Sequence, residues 1–213
     1  MKTFFRGAAS TAIAAVAFAA MPAMAQTAGD PNANQADADA RAEILAGLTL
    51  TNVAGTSLDF GSIIVLGAGT VTVPSDGSAA TCPAASFVCA GATDVAEFEV
   101  TGSDGKAVSI TLPDAAATVG ELEYDDGVNP VHTIDITEFE TNAKLDSATP
   151  VLDPVSGLPA VDPISGDPLF VQYDGVLLTG GTATFPVGGS IALAAGQEPG
   201  LYEHTFTVEV NYN

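Results

Sequence analysis

Val95-Ala96-Glu97-Phe98-Glu99-Val100-Thr101-Gly102-Ser103-Asp104-Gly105-Lys106-Ala107-Val108-Ser109-Ile110-Thr111-Leu112 is the most legible stretch of this 213-residue chain. Phe98 and Val100 alternate with Glu97, Glu99 and Thr101, and Val108, Ile110 and Leu112 alternate with Ser109 and Thr111. A period of two with one apolar face marks a half-buried strand, and Gly-Ser-Asp-Gly between the runs is turn chemistry. The stretch predicts an antiparallel hairpin with an apolar face on each arm.

The same texture extends in both directions. Further short runs at residues 44–53, 58–66, 69–73, 131–139, 169–173, 182–187, 190–193 and 201–212 are separated by Gly, Pro, Asp and Asn. Many short strands with turn signals between them predict an all-β fold, an Ig-like antiparallel β-sandwich with one core. The 22 glycines and the absence of Trp agree with strands and turns.

Composition narrows the function classes. Five Lys+Arg stand against 26 Asp+Glu, a net charge of −21, so phosphate neutralisation cannot drive binding and nucleic acid is excluded as a partner. At 47% hydrophobic and 15% charged, the chain is too apolar for an acidic disordered tail. Residues 1–25 have the three parts of a secretory signal: Lys2 and Arg6, an apolar stretch from Ala8 to Met21, and the Ala23-Met24-Ala25 cleavage site. Cleavage before Gln26 leaves 188 residues and removes two basic side chains, taking the net charge to −23. An exported protein is expected, in the periplasm, on the outer cell surface or outside the cell. No later segment is long and apolar enough to suggest a transmembrane span.

Residues 26–43 read as a flexible arm ahead of a single sandwich domain at 44–213. Within and beyond the arm, Ala36, Ala38, Ala40, Ala42, Ile44, Ala46, Leu48 and Leu50 are apolar at every second position. That pattern suits a donor strand, while its alanines equally suit a short helix, and the two readings stay open. Cys82 and Cys89 form an even pair in an oxidising compartment, which predicts one local disulfide rather than a metal or redox site.

Between residues 146 and 168 lies a small duplication, Asp153-Pro154-Val155-Ser156-Gly157-Leu158-Pro159 and Asp162-Pro163-Ile164-Ser165-Gly166-Asp167-Pro168, offset by nine. Its four prolines predict a long, stiff surface loop without regular strand pairing. Its aspartates, and Asp125-Asp126-Gly127, could ligate Ca²⁺, but neither stretch has the alternating ladder and closing Glu of a calcium loop, and solvated turn acids are expected.

No motif carries chemistry. There is no Gly-x-Ser-x-Gly elbow, no His-Glu-x-x-His, no phosphate-binding glycine loop and no dinucleotide fingerprint. His132 and His204 fall in predicted strands, where a hydrogen-bonded or exposed histidine is the ordinary outcome. With 26 acids, a carboxylate pair at any given spacing carries no signal for a glycosidase. The expectation is no enzyme, no cofactor and no metal.

Leu48-Thr49-Leu50-Thr51-Asn52 leading to Leu58-Asp59-Phe60-Gly61-Ser62-Ile63, then Ala96 to Gly102, and finally Gly200-Leu201-Tyr202 with Phe206 to Tyr212, resemble the exported bacterial proteins grouped as domain of unknown function 4402. The resemblance spans roughly residues 44–213 and implies an exported Ig-like sandwich with no established activity. Gly200, Tyr202, Phe206, Val208, Val210 and Tyr212 are also similar to the C-terminal signature of chaperone-usher pilus subunits, whose alternating apolar side chains are read by strand addition. A last core strand entered through a glycine turn accounts for the same residues. The leading expectation is therefore a structural or adhesive envelope or surface protein, in its sharpest form a pilin-like subunit pairing with like subunits or a periplasmic chaperone. The alternative is a secreted or periplasmic module that binds Ca²⁺ or a basic partner.

Overall fold

A computed structural model describes residues 38–114, 121–127, 131–154 and 157–213. The expected secretory signal at residues 1–25 and residues 26–37 of the expected arm lie outside these. Residues 38–42 form a unit apart from Glu43–Asn213, and they are exposed and without regular structure.

Among the described residues, twelve strands follow in order: β1 (Thr49–Asn52), β2 (Ser62–Val65), β3 (Gly69–Val73), β4 (Phe87–Ala90), β5 (Ala96–Thr101), β6 (Ala107–Thr111), β7 (Glu121–Tyr124), β8 (His132–Glu140), β9 (Lys144–Pro150), β10 (Phe170–Leu177), β11 (Thr182–Leu193) and β12 (Glu209–Tyr212). All pairings are antiparallel and no helix occurs among the described residues. One sheet runs β1-β5-β11-β8-β7, with β3 also on β11; a second runs β12-β6-β10-β9; β2 and β4 make a small third. The expected antiparallel sandwich is the fold. Its core is built from the inward faces, with Phe87, Phe185, Leu178, Ile191, Val71, Val100, Val108 and Val187 essentially fully buried.

The expected hairpin at residues 95–112 is not one. β5 pairs with β1 and β11, whereas β6 pairs with β10 and β12, so the chain crosses from one sheet to the other. Alternation is the same in a hairpin and in such an arch; only the partners differ. The turn is anchored to the second crossover, from β10 to β11: Gly102 N–H donates to the Gly181 carbonyl, Gly105 N–H to Leu178, and Leu178 N–H to Lys106. Leu178, with no exposed surface, plugs the space between the two arches. A Cβ on Gly102 would collide with the Tyr212 hydroxyl and lie 2.8 Å from Leu48 Cδ2, so this glycine serves close approach rather than turn geometry.

Other expected runs change at their edges. The run at 44–53 shortens to β1, since residues 44–48 have no ladder partner and Ile44 and Leu45 are exposed, and no helix forms at 38–46. The run at 58–66 breaks at Gly61, whose φ of 72° turns the chain before β2. The two runs at 182–193 join as β11, because Gly188 and Gly189 mark close backbone approach and not a break: a Cβ on Gly189 would lie 2.7 Å from the Glu138 carbonyl oxygen, and one on Gly188 2.6 Å from the Ser75 nitrogen.

The expected loop at 146–168 starts later than its composition suggests. Residues 146–150 belong to β9, an edge strand on which a terminal proline is tolerated. Beyond it the duplication is structural. Asp153 N–H donates to Leu158 and Gly157 N–H to Asp153; nine residues on, Asp162 N–H donates to Asp167 and Gly166 N–H to Asp162. Three residues spaced by nine close a ring at the base: Ala160 N–H to Val151 at 2.7 Å, Val151 N–H to Leu169 at 2.8 Å, and Leu169 N–H to Ala160 at 2.9 Å. The prolines limit ladder formation without preventing local pairing. Cys82 and Cys89 are joined, with Cα atoms 6.4 Å apart, across the turn that delivers Phe87 into the core.

Candidate functional site: the C-terminal edge and an adjoining groove

Of the residues 201–212 expected to form the last strand, only 209–212 make a ladder, on β6; upstream, Glu203 makes a single bridge to Glu123 of β7. The alternation nevertheless holds from Thr205 to Tyr212 and is interrupted at His204, which is exposed like its neighbours. Tyr202, Phe206, Val208, Val210 and Tyr212 point inward and pack on the core, while Glu203, Thr205, Thr207, Glu209 and Asn211 are exposed. Phe206 lies with its ring centre 4.8 Å from Phe139 and 6.1 Å from Phe98, joining the terminal segment to both β8 and β5.

Each end of this segment is locked. The Tyr212 hydroxyl donates to the Ala46 carbonyl at 2.8 Å and accepts from Ser103 N–H at 2.7 Å. At the other end the Tyr202 hydroxyl donates to the Glu198 carbonyl at 2.7 Å and accepts from Gln197 Nε2 at 3.0 Å. Gly200 lies against the Tyr124 ring, which any Cβ there would overlap. Among the expected site residues, then, Gly200 permits ring contact, Tyr202 and Tyr212 are latches, and Phe206, Val208 and Val210 are core-facing.

Opposite this segment runs the Leu58-Asp59-Phe60-Gly61 stretch, whose role the sequence did not reveal. Asp59 Oδ1 accepts from Gly61 N–H at 2.8 Å, closing a local turn, while Leu58 and buried Phe60 face the core. Between the two segments lies a groove of about 630 Å³, floored by Leu122, Ile134, Ile191 and Leu193. It runs on into a second hollow of about 400 Å³ past Phe98 and Phe206; Ser57, Leu58, Phe60, Leu122 and His204 line both.

Hydrogen-bond direction makes the banks of this groove strand-like. Asp59 exchanges both backbone bonds with Asp94, at 2.9 and 3.0 Å, and Glu203 exchanges both with Glu123, at 3.1 Å. In an extended chain the neighbouring residues aim their N–H and C=O the other way, away from those partners. Among the described residues, Leu58, Phe60, His204 and Phe206 make no backbone hydrogen bond. Two open edges thus flank an apolar floor.

His204 is exposed on the groove, and His132 stacks on Tyr124 with Nε2 3.7 Å from Asp126 Oδ2. Asp162 accepts from Ser165 N–H and Ile164 N–H, which hold its carboxyl below the usual range. Among the described residues no three His, Cys, Asp or Glu side chains group as a metal site, and no helix is long and apolar enough to cross a membrane. No curated protein and no solved structure matches the chain. A family model does, over residues 48–212, from the first strand of the sandwich to the Tyr212 latch. The chain therefore belongs to the family described as Domain of unknown function (DUF4402).

Proposed function

We propose that the protein is an exported structural or adhesive subunit of the cell envelope or surface, pilin-like in accepting a strand from a partner, and without a catalytic role. The observation that carries this reading is the groove between residues 58–60 and 204–206, where unbonded backbone on both banks adjoins an apolar floor. An inserted strand would gain main-chain bonds from the edges and register from the alternating pockets. The secretory signal supports export, and the terminal alternation supports strand addition.

The experiment has two arms. Electron microscopy of cells with and without the protein should show surface fibres or an envelope layer that depends on it. Isolated protein should melt at a higher temperature in the presence of apolar strand-forming peptides, by mass action on the folded state. A monomer whose melting temperature ignores every such peptide, from cells with unchanged surfaces, would overturn the proposal.

A further inference from the structure

We infer that the occupant of this groove is a basic, extended segment of a different protein, with apolar residues at alternate positions and Lys or Arg between them, rather than the arm of a second copy. The inference rests on the strand-accepting reading above and adds the chemistry of the partner.

Charge decides between the two occupants. The groove carries Asp59, Glu198 and Glu203, and among the described residues neither Lys nor Arg lines it. The three basic side chains that remain after signal cleavage each face an acid elsewhere: Arg41 with Asp39 at 3.7 Å, Lys106 with Glu43 at 2.7 Å, and Lys144 with Asp174. A strand laid along the floor would point one set of side chains down at Leu122, Ile134, Ile191 and Leu193. The other set would point outward beside these rim acids. Outward Lys or Arg would be attracted there, and would also steer encounter with a chain of net charge −23.

The chain's own arm has the opposite properties. As an extended strand, residues 36–46 would put Ala36, Ala38, Ala40, Ala42, Ile44 and Ala46 on one face and Asp37, Asp39, Arg41, Glu43 and Leu45 on the other. Alanine fills a pocket lined by Leu and Ile poorly, since most of the apolar area would stay uncovered. Its three acids against one base would meet the rim acids with like charge. Two copies of so acidic a chain also repel before any groove is reached, an effect felt over about 10 Å at 0.1 M salt.

The test uses the processed protein and three peptides of equal length: Val/Ile alternating with Lys, Val/Ile alternating with Glu, and residues 36–46 of this chain. Calorimetry should give the Lys peptide at least about a tenfold lower Kd than the Glu peptide at low salt, with the gap closing as salt rises. Residues 36–46 should bind more weakly than the Lys peptide. Glu198→Lys with Glu203→Lys, both exposed positions, should reverse the preference, and backbone NMR shifts should fall on residues 58–65 and 200–208. Equal binding of Lys and Glu peptides, tighter binding of residues 36–46, or an unreversed preference overturns the inference while leaving strand acceptance intact. Failure of all three peptides to bind overturns strand acceptance itself, and the inference with it.

Discussion

The hydroxyl of Tyr212, the penultimate residue, receives a hydrogen bond from the backbone of Ser103 in the arch that joins the two sheets. Through the same oxygen it holds the Ala46 carbonyl, at the entry to β1. One side chain thus fastens the terminal strand, the arch and the first strand of the sandwich. Tyr212→Phe removes this oxygen and leaves the Ser103 N–H half-buried without its partner. It should cost about 1–2 kcal/mol in chemical denaturation, with the slope against denaturant unchanged.

Phe206→Ala tests whether the terminal segment is core as well as edge. The ring contacts with Phe98 and Phe139 would give way to a cavity, and about 3–5 kcal/mol of stability should be lost. Because the groove passes the same ring, a strand-forming peptide should restore part of the lost melting temperature. Stability close to wild type would mean that Phe206 is not a core residue.

Gly102 and Gly105 stand in one turn for different reasons, and alanine separates them. At Gly105, where φ is 71° and a Cβ meets open space, Ala should cost about 1–2 kcal/mol for the left-handed backbone alone. At Gly102, Ala should cost more, about 2–3 kcal/mol, by driving the Tyr212 hydroxyl and Leu48 away. Gly102→Ala in a Tyr212→Phe background should be less than additive, since the colliding oxygen is already gone.

Reducing the Cys82–Cys89 bond, or replacing both residues by Ser, should lower stability by about 2–3 kcal/mol on the chain-entropy model for so short a loop. For a protein of this size that is roughly 5–10 °C in melting temperature. Mass spectrometry of protein recovered outside the cytoplasm should find no free thiol.

Asp162 should titrate below its ordinary value of 3.8, because Ser165 N–H and then Ile164 N–H stabilise the ionised form. A lowered folded-state pKa means that the contribution to stability is present above the unfolded value and lost as pH falls through the folded one. Protection of the amides of residues 164 and 165, measured as the exchange rate relative to the intrinsic rate at each pH, should therefore hold at neutral pH and fall only on acidification below the usual carboxylate range. Asp162→Asn should remove that pH dependence. A carboxyl ¹³C titration with an ordinary midpoint would refute the assignment.

Where a residue's role depends on its own neighbours in sequence, the chain was readable. Phe206, Val208, Val210 and Tyr212 share one inward face as their alternation indicates, and residues 69–73 form a strand as expected. Partnership across space was not readable. Residues 95–112 carry two strands, but whether they lie side by side or face each other is decided by Leu178, Gly181 and Tyr212, far along the chain. β4, β7 and β9 carry little signal in the sequence because each is short or polar: Glu121-Leu122-Glu123-Tyr124 has only two inward side chains, and β9 is an edge carrying Lys, Asp and Ser. The groove was hidden for a related cause. One bank belongs to a turn closed by Asp59 and the other to the extended segment around Glu203, 144 residues later, and only folding brings them opposite each other.

The ring formed by Val151, Ala160 and Leu169 bears on how this loop can change over evolutionary time. Three backbone groups satisfy one another in a closed cycle, so the number of nine-residue copies is counted by geometry. Deleting one copy would leave two rungs face to face, an ordinary hairpin. Adding one would require a four-membered ring with different angles at every member. Single substitutions at exposed positions such as Ile164, 95% exposed on the second lobe, disturb none of this. The loop is therefore free to diversify in what it displays while being held to two lobes in how it is built.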